Sequence, residues 1–137
     1  MERMLRRDYP RDDIAQGYTA LFAAYLGLGD EALAASSAAL QLSADVPAVC
    51  AAMAYVQARV GKVTEARHLA EIAQAAELPR APRPMIAPAY VELGEERRAL
   101  ELLQEAHEEG CPWLPPARLD PRLKKLESDA RFARLFA

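Results

Sequence analysis

The sequence predicts an all-α chain of stacked antiparallel helix pairs, and three observations predict it. Alanine dominates an apolar fraction of 52%, and alanine is the residue that enters a helix at least cost. Val, Ile and Thr are scarce, which argues against a large sheet. A glycine-centred pattern also returns along the chain, at Gly27, Gly61 and Gly94, with separations of 34 and 33 residues.

The repeating unit is an apolar helix, a glycine turn, and a second helix that opens with an acidic residue and alanine. It is seen in "FAAYLGLGDEALAASSAALQL", "AMAYVQARVGKVTEARHLAEIA" and "IAPAYVELGEERRALELLQEA". Ala32, Ala66 and Ala99 each stand five residues after a turn glycine, and Ala39, Ala73 and Ala106 stand seven further on. Helix pairing accounts for this pattern. The glycine ends the first helix by taking a positive φ. The small residues let the second helix close onto the first, where a bulky side chain would hold the two apart. In the first unit Gly27 and Gly29 compete for the turn, a two-residue shortening of the register.

The elements follow in order. A first helix is predicted over about 12–27, with Asp12 and Asp13 as cap candidates. A second covers about 30–43. The third starts at Pro47, a favourable first-turn proline, and stops before Gly61. A fourth covers about 63–77. "PRAPRP" at 79–84 predicts extended loop. A fifth helix covers about 85–93 and carries Pro88, a source of strain. A sixth covers about 95–109 and is stopped by Gly110, Cys111 and Pro112. Ahead of these, "LRRDYPRDD" reads as the end of a repeat's second helix. Either a short helix at about 2–8 caps the stack, or the chain is the tail of something longer. At the other end, Asp120 and Pro121 predict a capped helix start. Leu123, Leu126, Phe132, Leu135 and Phe136 then form an apolar face against the last repeat. Trp113 is expected to plug the end of the stack, which a repeat array needs to have closed.

These units resemble the tetratricopeptide repeat family, whose unit is usually 34 residues and whose turn carries the pair seen at Leu93–Gly94. The third repeat is the nearest match, with Ile86, Ala87, Tyr90, Gly94, Ala99, Leu103 and Ala106 on the motif's apolar and small positions. The second has Gln57 where a tyrosine is usual. "HEEGCPWLPPARLDPRLKKLESDARFARLF" is similar to the tail closing such arrays in bacterial regulators, where the repeats follow a winged-helix, kinase or cyclase domain. The likeness rests on Pro112–Trp113, Asp120–Pro121–Arg122 and Ser128–Asp129. Ala130 stands where a second proline is common, and Leu123 where phenylalanine is common.

The resemblance implies a right-handed α-solenoid with a short C-terminal helical cap. Residues 1–11 would form a partial repeat or capping helix. Three repeats would cover 12–110, at about 12–45, 46–79 and 80–110, and an extended segment with capping helices would cover 111–137. The first helices of the pairs would line a concave groove. By family register its lining candidates are Gln16, Thr19, Ala23, Tyr55, Arg59, Val91 and Glu92. Tyr55 and Arg59, at i and i+4 on one helix face, form the best anchor pair. A chaperone-tail clamp is disfavoured: Asn is absent, and the three lysines Lys62, Lys124 and Lys125 fall in a turn and the tail.

Reaction chemistry has little to stand on. His68 and His107 are the only histidines, and neighbours such as Glu108 and Glu109 point in different directions around a helix. No phosphate-binding loop, nucleophile elbow or zinc motif is present, and "GLGDEA" at 27–32 lacks the lysine of a phosphate loop. Cys50 and Cys111 match no zinc or redox spacing and read as small apolar residues of a reducing compartment. A net charge of −3 disfavours direct nucleic-acid binding. No apolar run spans a bilayer and no signal peptide is visible.

The expectation is therefore a cytoplasmic, non-catalytic scaffold that needs no metal or cofactor and holds a protein or peptide in its groove. The alternative is the regulatory or sensor tail of a bacterial transcription regulator or signalling protein, separated from its effector domain. A chain starting inside a repeat would expose an uncapped face, a route to homo-oligomers.

Overall fold

A computed structural model of the chain describes residues 12–76 and 81–136, with the backbone alone for residues 12–15. The helix expected at about 2–8 lies outside the described residues, as do the side chains of the cap candidates Asp12 and Asp13. The described residues form helices α1 (Asp12–Tyr25), α2 (Gly29–Ser43), α3 (Pro47–Arg59), α4 (Val63–Ala75), α5 (Arg83–Glu92) and α6 (Glu96–Glu108). A tail follows, made of α7 (Leu114–Ala117), a 3₁₀ helix (Pro121–Leu126) and α8 (Ala130–Leu135). No strand occurs among the described residues, so the chain is all-α there.

One turn geometry recurs at the helix ends. After α1, the amide of Gly27 donates to the Ala24 carbonyl at 3.1 Å, and that of Leu28 to the Ala23 carbonyl at 2.8 Å. The same two bonds close α3 at Gly61–Lys62, α5 at Gly94–Glu95 and α6 at Gly110–Cys111. Each is a Schellman motif, which satisfies carbonyls that have no partner within the helix. It requires the left-handed backbone that Gly27 adopts at φ +82°, Gly61 at +89° and Gly94 at +79°. The competition in the first unit is thereby settled: Gly27 makes the turn and Gly29 opens α2.

Packing follows the small residues. Ala32, Ala66 and Ala99, and likewise Ala39, Ala73 and Ala106, are all buried. Helix α1 packs on α2, α3 on α4, and α5 on α6, while α1, α3 and α5 also touch in series. Most of the core on α1–α4 is alanine, with Met53, Tyr55 and Val56 as its large members, whereas Ile86, Leu102 and Leu103 fill the later half. Gln57 is buried and donates to the Ser36 hydroxyl at 3.2 Å, so a polar side chain in the core is satisfied rather than stranded.

One local expectation is corrected. The proline-rich loop ends sooner than predicted, because Arg83 and Pro84 already belong to α5. Proline in a first turn removes only an amide that would have no partner, so the helix starts there at no cost. The same helix carries the buried Pro88 in its interior.

The tail closes the far end. Its 3₁₀ helix packs on α5, and α7 and α8 pack on α6. Leu123, Leu126 and Phe132 are buried as predicted, with Leu135 and Phe136 partly so and the Phe132 and Phe136 rings 4.9 Å apart. Full burial of such a side chain, as at Leu123, Leu126 and Phe132, contributes roughly 1.5–3 kcal/mol. Asp120 accepts from the Arg122 amide at 2.9 Å and Asp129 from the Arg131 amide at 2.8 Å, one capping each helical turn. Trp113 does not plug the stack. It stands at the N-cap of α7 and is 52% exposed, because α7 turns Leu114 and Ala117 inward instead.

Candidate functional site

Side chains of α1, α3 and α5 converge with the tail's 3₁₀ helix around two hollows on the same side of the protein. The first, of about 390 Å³, is apolar: Leu21 from α1, Val49, Ala52 and Met53 from α3 and Met85 from α5 line it, with Tyr18 at its edge. The second, of about 260 Å³, is charged and lies at the C-terminal ends of the same helices. Tyr25, Tyr55, Arg59 and Glu92 meet Pro121, Arg122, Lys124 and Lys125 there. Arg122 borders both hollows.

Three of the five expected binding residues, Tyr55, Arg59 and Glu92, therefore share one site. All three already have partners within the chain. Tyr55 is 1% exposed and cannot serve as a surface anchor; the Arg122 guanidinium lies over its ring, 5.2 Å from the centroid. Burial pushes its phenol pKa up, Glu92 pushes the same way, and Arg59 and Arg122 oppose. The hydroxyl therefore keeps its proton and stays a donor through the neutral range.

Arg59 acts as a clamp between helix ends. Its Nε donates to the Ala24 carbonyl at 3.2 Å and its Nη2 to the Tyr25 carbonyl at 3.4 Å, in the last turn of α1. Those carbonyls are negative ends of a helix dipole, where a cation is stabilising. The remaining Nη1 reaches Glu92 on α5 at 3.4 Å. Arg59 thus ties α1, α3 and α5 together while its side chain stays 38% exposed.

Gln16 and Thr19 are not brought to either hollow. At roughly 100° per residue, Thr19 sits about half a turn round α1 from Gly17 and Leu21, which do face the apolar hollow. Ala23 and Val91, also candidates by register, are core residues.

The residue missed from sequence is Arg122. It is held by Asp120 through Nε at 3.0 Å and Nη2 at 2.7 Å, which aims the guanidinium at Tyr55. The only trace in the sequence is the Asp-Pro-Arg order. Its partner stands 67 residues earlier, and no local pattern links the two.

Among the described residues no group of three or more His, Cys, Asp or Glu side chains is placed to hold a metal ion, and no helix is long and apolar enough to cross a membrane. His68 and His107 are both exposed. Cys50 is buried, donates to the Ala44 carbonyl at 3.2 Å, and has its thiol pKa raised by burial and then by Asp45. No family model, no curated protein and no solved structure matches this chain.

Proposed function

We propose that the chain is a tetratricopeptide-like scaffold, a right-handed solenoid of three helix pairs closed by the C-terminal tail, which holds a segment of another protein without chemical change. One observation carries this reading. The helices that open each pair, α1, α3 and α5, touch in series and share an apolar hollow large enough for a bulky side chain. Grooves that hold peptides take apolar anchor side chains and add directed polar contacts, and the neighbouring charged hollow supplies such polar groups. The recurrent turn and the six alanines support the solenoid part, because each unit can bury its apolar face only against a neighbour.

At 15.1 kDa the protein suits backbone amide spectroscopy. Titration with random-sequence peptide pools should shift amides of α1, α3, the start of α5 and the 3₁₀ helix. Shifts confined to α2, α4 and α6 would overturn the groove reading.

A further inference from the structure

The charge balance around the second hollow identifies the kind of segment held. Of its ionic groups, Arg59 is engaged by Glu92 and Arg122 by Asp120. Lys124 and Lys125 also border it, both exposed, and neither forms an ion pair among the described residues. Two uncompensated cations therefore stand at the mouth of a cleft in a protein whose net charge is −3. Elsewhere Arg67 is matched by Glu95, Arg83 by Glu105 and Glu109, Arg97 and Arg98 by Glu101, and Arg131 by Asp129. Lys62, Arg118 and Arg134 form no ion pair among the described residues, but no two of them are neighbours in the sequence as Lys124 and Lys125 are. The lysines are also fixed in place. Leu123 and Leu126 flank them in the 3₁₀ helix and are buried in the core, so the ammonium groups spring from an anchored backbone turn.

The spacing is set by α3. Ala52 lines the apolar hollow and Arg59 the charged one, seven positions further along the helix. At about 1.5 Å per residue that is roughly 10 Å, which an extended chain covers in about three residues.

We infer that the occupant is an acidic peptide segment of a second protein: a bulky apolar side chain enters the hollow among Leu21, Val49, Ala52 and Met53, and carboxylates about three residues away meet Lys124 and Lys125. This rests on the groove reading above and adds the chemistry of the partner. Potentials of opposite sign also speed the encounter, and the attraction falls as salt rises.

The test uses three pools of fluorescein-labelled decapeptides and the full chain. Each pool carries a leucine and, three positions later, a pair of glutamates, glutamines or lysines. Fluorescence anisotropy should rank the glutamate pool about ten-fold tighter than the glutamine pool, with the lysine pool weakest. The margin should shrink between about 50 and 300 mM NaCl. In the double variant Lys124→Glu/Lys125→Glu the order should reverse; both positions are exposed, and circular dichroism checks the fold. Replacing leucine by serine in the glutamate pool should weaken binding to the unaltered protein. Equal affinity for the glutamate and glutamine pools, or a ranking unmoved by the double variant, overturns the acidic-partner inference and leaves the groove standing. No binding of any pool, together with no amide shifts on α1, α3 and α5, overturns both.

Discussion

Alanine substitution at two glycines, Gly94 and Gly17, should move stability in opposite directions. At Gly94 the backbone has φ +79° and an added Cβ meets nothing within 4 Å. The cost of Gly94→Ala is therefore torsional, about 1–2 kcal/mol for an L-residue in the left-handed region. The stiffer unfolded chain offsets part of it, by about 0.4–1 kcal/mol, leaving a net loss near 1 kcal/mol. Gly17 lies inside α1, where a Cβ would sit 3.8 Å from the Met53 terminal methyl, an ordinary contact. Gly17→Ala should gain about 0.5–1 kcal/mol, because glycine is a poor helix residue. With an unfolding entropy of about 2.1 cal/mol/K per residue, the 137 residues make 1 kcal/mol worth about 3–4 °C in Tm. Thermal and urea unfolding followed by circular dichroism should place the two variants on opposite sides of the parent, separated by about 5–7 °C. A neutral or stabilising Gly94→Ala would refute the turn geometry on which every helix pair depends. A destabilising Gly17→Ala would refute the open contact between α1 and α3.

Other perturbations report on different parts of the molecule. Ala99→Leu should cost about 1–3 kcal/mol, because the side chain is fully buried where α6 meets α5; an unchanged urea midpoint would show that the pair is not closely packed. Leu126→Ala should cost about 2–5 kcal/mol and speed amide hydrogen exchange first in the 3₁₀ helix and α8, whereas uniform loss of protection would show that the tail does not open separately. Thiol labelling at mildly alkaline pH should modify the half-buried Cys111 well before Cys50, which is enclosed and whose raised pKa withholds the thiolate. Linkage gives the sign for Cys50: its contribution is whole below the unfolded-state pKa and is lost as pH rises through the higher folded-state value. Asp129 behaves conversely. The Arg131 side-chain bond and then its backbone amide lower the carboxyl pKa, so the cap of α8 should persist below the ordinary aspartate range and fail only as pH falls through the lowered value. A side-chain titration matching that of an unstructured tail peptide would contradict this.

Helices and turns were legible in the sequence because their causes are local. The glycine ending each first helix and the alanine five residues on are written in chain order, and both do in the fold what the spacing implied. Sequence and structure part where a side chain's direction depends on a partner far along the chain. The sequence points Trp113 inward, whereas the register of α7 turns Leu114 and Ala117 to the core. Tyr55 and Arg59 share one helix face, as their spacing implies, yet a helical face does not reveal its covering. Arg122 lies over the first, and the second is occupied by the end of α1.

The split between the two levels has one physical basis. Backbone geometry and small-residue spacing act over a few positions, so the order, length and pairing of the helices are dictated by the chain read from end to end. The sign and position of charge at the second hollow depend on where the 3₁₀ helix lands. That is decided by burying Leu123 and Leu126 against residues more than thirty positions earlier, on α5. Hydrophobic burial has no direction along the sequence, and the lysines beside those leucines reach the second hollow only because the tail docks there.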